Sequence, residues 1–198
     1  MIIDINEVYR YLGFIHNHKM EHDPDTDRII NEICSQVNSV CTPKSASRVF
    51  PCEIANNAVS FDVSPASTHT DYEVFESRAL ARHLTGCDRI ILFAATLGPE
   101  TDRLIRRLEI TSLTRAAVAQ AVGAAAIEAF ADDECRRLES EYGKLKNRFS
   151  PGYGDLALEN QLIFERLLNM RRSLGITLDD GLLMTPSKSI TAVIGIPS

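Results

Sequence analysis

No stretch of this 198-residue chain approaches the roughly 20 apolar residues that a membrane-crossing helix requires. Met1-Ile-Ile-Asp-Ile5 shows no basic segment leading into a long apolar run, so no secretory signal is expected. Cys-x-x-Cys is absent. The five cysteines, Cys34, Cys41, Cys52, Cys87 and Cys135, are odd in number and widely spaced. That argues against a disulfide framework, a zinc ribbon or a thioredoxin-like site, and the expectation is free thiols in a reducing cytoplasm. Positive charge is also short. A net charge of −6 opposes nonspecific attraction to nucleic acid, which needs clustered cations. Ser64 and Ser67 have no His/Asp context and no nucleophile elbow occurs, so a hydrolase triad has no support.

What is present is an ordinary globular composition, 44% hydrophobic and 24% charged, long enough to bury a core without staples. Residues 6–14 and 26–39 have helical spacing, the second with Asp25 or Thr26 as cap. Residues 47–54 and 57–63 alternate apolar and polar around Asn56-Asn57, as in a hairpin. Helical spacing returns over 72–85 through Val74, Ala79, Leu80 and Leu84. Arg89–Thr96 reads as a buried strand, and Pro99 suits the first turn of the next helix. A very long helix is expected over 112–141, with a possible break at Gly123, and another over 156–173, ending near Gly175. Leu178–Ile196 offers two strand-like pieces divided by Pro186. Strict βαβ alternation is missing, and there is no repeat or linker. The expectation is an α+β fold, one two-lobed domain over 1–198, with a largely antiparallel sheet against long helices.

Arg148-Phe-Ser-Pro-Gly-Tyr-Gly-Asp155 concentrates unusual chemistry between two helical patterns. The Arg148 guanidinium is a planar fork suited to carboxylate or phosphate. Pro151 stiffens the turn and biases Ser150 away from helix. Gly152 and Gly154 let the backbone come close to a ligand, and Tyr153 stands between them. Upstream, Ala117, Ala121, Ala124, Ala125 and Glu128 share one helix face, so a carboxylate continues a stripe of small residues. Glu128 needs a cationic partner, which is either an arginine or lysine of the chain or the ammonium of a ligand. Arg148 is either a surface charge or an anion holder. Gly152-x-Gly154-x-x-Ala157 matches a dinucleotide fingerprint, but the polar residues before it are not a strand. His16, His18 and His22 sit among Asp23, Asp25 and Asp27, a ligand-rich string without apolar support, read as a solvated loop. His69 and His83 are isolated. Lys188 between two serines is either an anion contact or a lysine that guards a strand edge.

Arg148-x-Ser150-Pro151-Gly152-Tyr153, then a helix, then Met184-Thr-Pro186-Ser-Lys-Ser189-Ile-Thr-Ala-Val-Ile-Gly195, resembles the activation domain of vitamin B12-dependent methionine synthase. The resemblance is strongest over 116–195, within a ligand-loop-bearing region spanning residues 111–198. Residues 1–110 match weakly, through Glu7-Val-Tyr-Arg-Tyr-Leu-Gly13 and Ile90–Leu97, which are compatible with small free-standing relatives. The resemblance implies an S-adenosylmethionine-binding module that supports reductive methylation of oxidised cobalamin. By position it puts Arg148, Ser150, Gly152 and Tyr153 on the adenosylmethionine loop and Glu128 on the ligand-binding helix. It implies that Arg148 holds the ligand's carboxylate, that Glu128 takes the opposite pole, and that Tyr153 faces the cobalamin. No acid/base pair and no bound metal of its own is implied, because the cofactors carry the chemistry and the protein orients them. The implied partners are a cobalamin-binding methionine synthase or other corrinoid protein, with a separate flavodoxin-like electron donor. A second reading stays open: a non-catalytic corrinoid-protein partner or scaffold that binds adenosylmethionine weakly or not at all. Gly154-Asp155 where the family has proline, and a chain that stops at Ser198 before further strands, motivate it.

Overall fold

A computed structural model describes residues 1–16, 19–20, 22–64 and 71–198, with backbone alone at 15–16 and 19–20. In chain order the elements are α1 (Ile5–Tyr11), β1 (Ile15–His16), β2 (Lys19–Met20), α2 (Pro24–Val40), β3 (Lys44–Ala55), β4 (Ala58–Asp62), β5 (Tyr72–Glu76), α3 (Arg78–His83), β6 (Cys87–Thr96), α4 (Pro99–Thr111), α5 (Leu113–Tyr142), a 3-10 turn (Leu158–Asn160), α6 (Gln161–Leu168), α7 (Met170–Ser173), β7 (Thr177–Leu178), β8 (Met184–Thr185) and β9 (Ser189–Pro197). The main sheet has the order β5-β4-β3-β6-β9, and among the described residues every strand pairing is antiparallel. The fold is α+β, as its mixed helical and strand patterns imply.

β6 explains the layering. Side chains alternate across a strand, and its whole run from Ile90 to Thr96 is buried. Ile91, Phe93 and Ala95 join a cluster with Val8 and Tyr9 of α1, Ile30, Ile33 and Val37 of α2, and the α4 and α5 faces. Ile90, Leu92 and Ala94 join the opposite cluster, with Phe61, Phe75, Leu80 of α3 and Phe164 of α6. A strand covered on both faces has no polar alternation left, which is why Ile90–Ala95 is continuously apolar.

Two expected helices come out differently. Residues 72–76 are strand β5, because β4 offers them a ladder from Asp62↔Tyr72 to Ala58↔Glu76. Helix begins only at Arg78, where Ser77 caps it by accepting from Leu80 N–H. The 156–173 segment is interrupted: Asn169 adopts a left-handed conformation (φ 50°) between α6 and α7. Conversely, α5 is one helix of 30 residues that runs through Gly123 without a break. Gly123 serves packing instead, since a Cβ there would lie 2.9 Å from Cε of Lys188.

β9 is the last strand of the sheet, yet Thr191–Ile196 are buried. The segment after α5 covers its edge. Lys146 N–H donates to Gly195 O (2.9 Å), and Phe149 exchanges both backbone hydrogen bonds with Val193 (2.9 and 2.8 Å). This closes an edge that would otherwise invite pairing with another chain. It also fixes the course of the backbone on both sides of Arg148.

Candidate functional site

Held by those bonds, Arg148 reaches across to α5. Its Nη2 donates to Oε2 of Glu128 at 2.6 Å, and its Nη1 lies 2.9 Å from Oδ1 of Asp132. Glu128, Asp132 and Cys135 recur at helical spacing on one face of α5, and Nη1 also approaches Cys135 Sγ at 3.9 Å. The Arg148 side chain is 18% exposed, whereas Glu128 is 42% and Asp132 57% exposed. The cation is thus the enclosed member and the two carboxylates are its solvated covers. Burial pushes the Cys135 thiol up, opposed by the nearby Arg148 charge. The helix face leading to Glu128 is small and close-packed, with Ala121 and Ala125 buried, Ala124 partly so and Ala117 exposed.

The loop beyond Arg148 is a sequence of tight turns. Gly152 has φ +90°, a conformation that suits glycine, and its N–H donates to Leu156 O at 2.8 Å. Tyr153 N–H donates to Ser150 O at 3.1 Å. The Tyr153 ring is 61% exposed and meets Phe149 edge-on, with centroids 6.4 Å apart.

Two hollows adjoin here. A groove of about 920 Å³ runs between α1 and α5, lined among others by Asp4, Glu7, Tyr11, Ala125, Glu128 and Tyr153. A smaller hollow of about 410 Å³ lies toward Arg148, Ser150, Ile190 and Ile194. Glu128, Asp132, Arg136 and Tyr153 border both. The large groove is rich in carboxylate, and its guanidinium groups are already engaged: Arg10 with Glu7 (2.5 Å) and Arg136 with Asp133. Tyr11 stacks under Arg10, 4.6 Å from ring centroid to Cζ. Its phenol is pushed above the usual value by burial first and by the Glu128 charge second. The arrangement offers a concave surface with one enclosed cation, an excess of anions and two exposed phenols. It suits a zwitterionic or cationic molecule with a flat ring.

Arg148, Glu128, Ser150 and Tyr153 therefore border one region, and Gly152 shapes the turn that carries it. Arg148 and Glu128 are not apart as two free poles: they are paired directly. Sequence reasoning did not single out Asp132, the second acceptor for Arg148, although its i+4 spacing from Glu128 was a readable signal. It also gave no site role to Asp4, Glu7, Arg10 and Tyr11 of α1 and its cap, because nothing in the local pattern says what they face.

The remaining candidates lie elsewhere. Lys188 Nζ donates to Gln120 Oε1 at 2.8 Å while its stem crosses Gly123, and burial lowers its pKa. His22 lies 3.2 Å from both Asp27 and Asn6 and tilts on the Tyr9 ring. His18, Ser67 and His69 fall outside the described residues, as does the His16 side chain. Among the described residues no group of three His, Cys, Asp or Glu could hold a metal ion. The Gly152–Ala157 fingerprint follows no named strand and opens a short 3-10 turn in an antiparallel fold, so it lacks its βαβ setting. Ser64 Oγ accepts from Asp71 N–H at 2.8 Å. All five cysteines are free. No described helix is long and apolar enough to cross a membrane.

No family model matches this chain, and no curated protein matches it by sequence. A solved structure does match in shape: a crystal structure of the MetH reactivation domain bound to AdoHcy. The two superpose with a TM-score of 0.74 at 16% sequence identity, covering 98% of this chain and 74% of the other. The chain has the fold of that reactivation domain.

Proposed function

We propose that this chain is a reactivation module for a cobalamin-dependent methionine synthase, which binds S-adenosylmethionine in the groove beside Tyr153. The observation that carries the reading is the meeting at 2.6 Å of Arg148, from the smaller hollow, with Glu128, which borders both hollows, in a fold shared with a domain bound to AdoHcy.

The methionine end of the ligand carries one carboxylate and one ammonium. Without ligand, Arg148 and Glu128 satisfy each other. A zwitterion inserts by an exchange: its carboxylate takes the Arg148 fork, and its ammonium takes the released Glu128. Glu128 is the natural partner to move, because it is the more hydrated of the two. Asp132 stays on Nη1 and keeps the fork oriented. Gly152 lets the loop backbone approach the ligand, and Ser150 stands in the hollow beneath. Bound S-adenosylmethionine supplies a sulfonium methyl for a reduced cobalt centre carried by the corrinoid partner. The chain's role is to orient that methyl toward the partner, with Tyr153 presented to the corrin face. Electrons come from a separate donor of the flavodoxin kind. The reading puts the chain in the cytoplasm.

A second reading has its own observation. Arg148 already holds two carboxylates, so the chain keeps the fold as a non-catalytic scaffold for a corrinoid methyltransferase and binds the nucleoside weakly or not at all. Titration calorimetry with S-adenosylmethionine, alone and with a cobalamin-binding methionine synthase, separates the two. Saturable binding in either setting supports the first. Heat of dilution in both rejects it in favour of the second.

A further inference from the structure

Half of the N-terminal cap of α3 comes from the other end of the site loop. Ser77 Oγ accepts from Leu80 N–H at 3.0 Å, as a local cap does. The next two free N–H groups, of Arg78 and Ala79, donate instead to Asp155, at 3.0 Å to Oδ2 and 3.1 Å to Oδ1. The Ser77 hydroxyl, in a residue 3% exposed, donates its own proton to Asp155 Oδ1. The Ser77 hydroxyl above all, and then the Ala79 N–H, hold the Asp155 carboxyl below its ordinary range. Gly154 makes the approach possible. Its φ is +56°, and a Cβ there would sit 2.9 Å from Cβ of Ala79. At the far end of α3, His83 Nε2 meets Asn147 O at 2.7 Å, and its ring lies 5.5 Å from that of Phe149. Both ends of one short helix thus hold the segment that carries Arg148 and Tyr153. That helix packs in the cluster on the opposite side of the sheet from α5.

We propose that Asp155 is a positioning residue for the groove: by capping α3 it fixes where the Arg148–Gly154 loop stands against α5. The proposal rests on the S-adenosyl reading for what the groove binds, and on geometry alone for what holds the loop. It makes the helix on the far face of the sheet a component of the binding apparatus.

Hydrogen exchange followed by mass spectrometry, with calorimetry using S-adenosylhomocysteine, tests it on wild type, Asp155→Ala, Asp155→Asn and Asp179→Ala. Asp179 is a control, because it accepts from Gly181 and Leu183 N–H in a separate turn, each at 2.9 Å. Asp155→Ala should speed exchange in peptides 78–80 and 149–156 by about tenfold or more, leave β6 unchanged, and weaken ligand binding by about tenfold. Asp155→Asn keeps one acceptor oxygen in place of two and should loosen the loop and weaken binding by a smaller factor, about two- to threefold. Asp179→Ala should change neither. Wild-type loop exchange and affinity in Asp155→Ala would overturn the proposal, and so would equal damage from Asp179→Ala. If Asp155→Ala does not fold, Asp155→Asn decides: a measurable loosening of the loop supports the proposal, and wild-type behaviour overturns it. A wild-type chain that binds no ligand, alone or with a cobalamin-binding methionine synthase, rejects the S-adenosyl reading, and the exchange data still decide whether Asp155 fixes the loop.

Discussion

Arg148 and Glu128 are 20 positions apart in the chain and 2.6 Å apart in space. One comes from a loop zipped to the edge of β9, the other from the middle of a 30-residue helix. Their pairing is the hinge of the functional reading, since the same two groups satisfy each other or a zwitterion placed between them.

Arg148→Ala leaves Glu128 and Asp132 as like charges one helical turn apart. It should cost about 1–2 kcal/mol of stability, from a lost charged hydrogen bond and the new repulsion. S-adenosylhomocysteine affinity should fall by more than about tenfold. Arg148→Lys should restore little of it, because an ammonium lacks the planar fork that serves two acceptors at once. Urea unfolding and calorimetry give both numbers. Unchanged affinity in Arg148→Ala would remove the carboxylate assignment.

Gly154→Ala should destabilise by about 2 kcal/mol. The left-handed conformation costs an alanine of order 1 kcal/mol, and the close approach to Ala79 adds crowding that no flexible side chain can relieve. Denaturant midpoints check this. A midpoint equal to wild type would mean that the loop retreats freely from α3.

Acid should loosen the clamp in a defined direction. The folded-state pKa of Asp155 lies below its ordinary 3.8. The carboxylate therefore contributes fully above that ordinary value, and its contribution fades as pH falls through the lower folded value. The melting temperature of wild type should exceed that of Asp155→Asn at pH 5, and the gap should close in stronger acid. A gap independent of pH would contradict the assignment.

Cys52 should be a sluggish thiol. Burial, with smaller contributions from Cys87 and Asp88, pushes its pKa up to about 11. At pH 8 its alkylation by iodoacetamide should be about two orders of magnitude slower than that of a free cysteine, rising roughly tenfold per pH unit. Peptide mass spectrometry reads the rate directly. Alkylation at the rate of free cysteine would show that the thiol is not buried in solution.

Much of the fold was legible because its strongest elements are locally consistent. Ile90–Leu97 is apolar but for Thr96, and the α5 pattern is too long and too regular to be anything but helix. The loop around Arg148 was legible from its residue types. Residues 72–76 were not, since their spacing fits a helix as well and only the ladder with β4 decides for strand. Asn169 was equally silent, because a single left-handed residue leaves no periodic trace. Asp132 was readable in principle from its spacing to Glu128. Asp155 was not, because its partners lie 76 to 78 positions away.

By itself, then, the sequence determined the mixed architecture, the double-sided burial of β6 and the chemistry available in the Arg148 loop, all of which follow from side-chain type and local period. Only the tertiary structure decided which carboxylates enclose Arg148 and which helix end Asp155 caps. Those contacts depend on where separate elements come to rest against one sheet, and packing sets that without leaving a mark in the neighbouring residues.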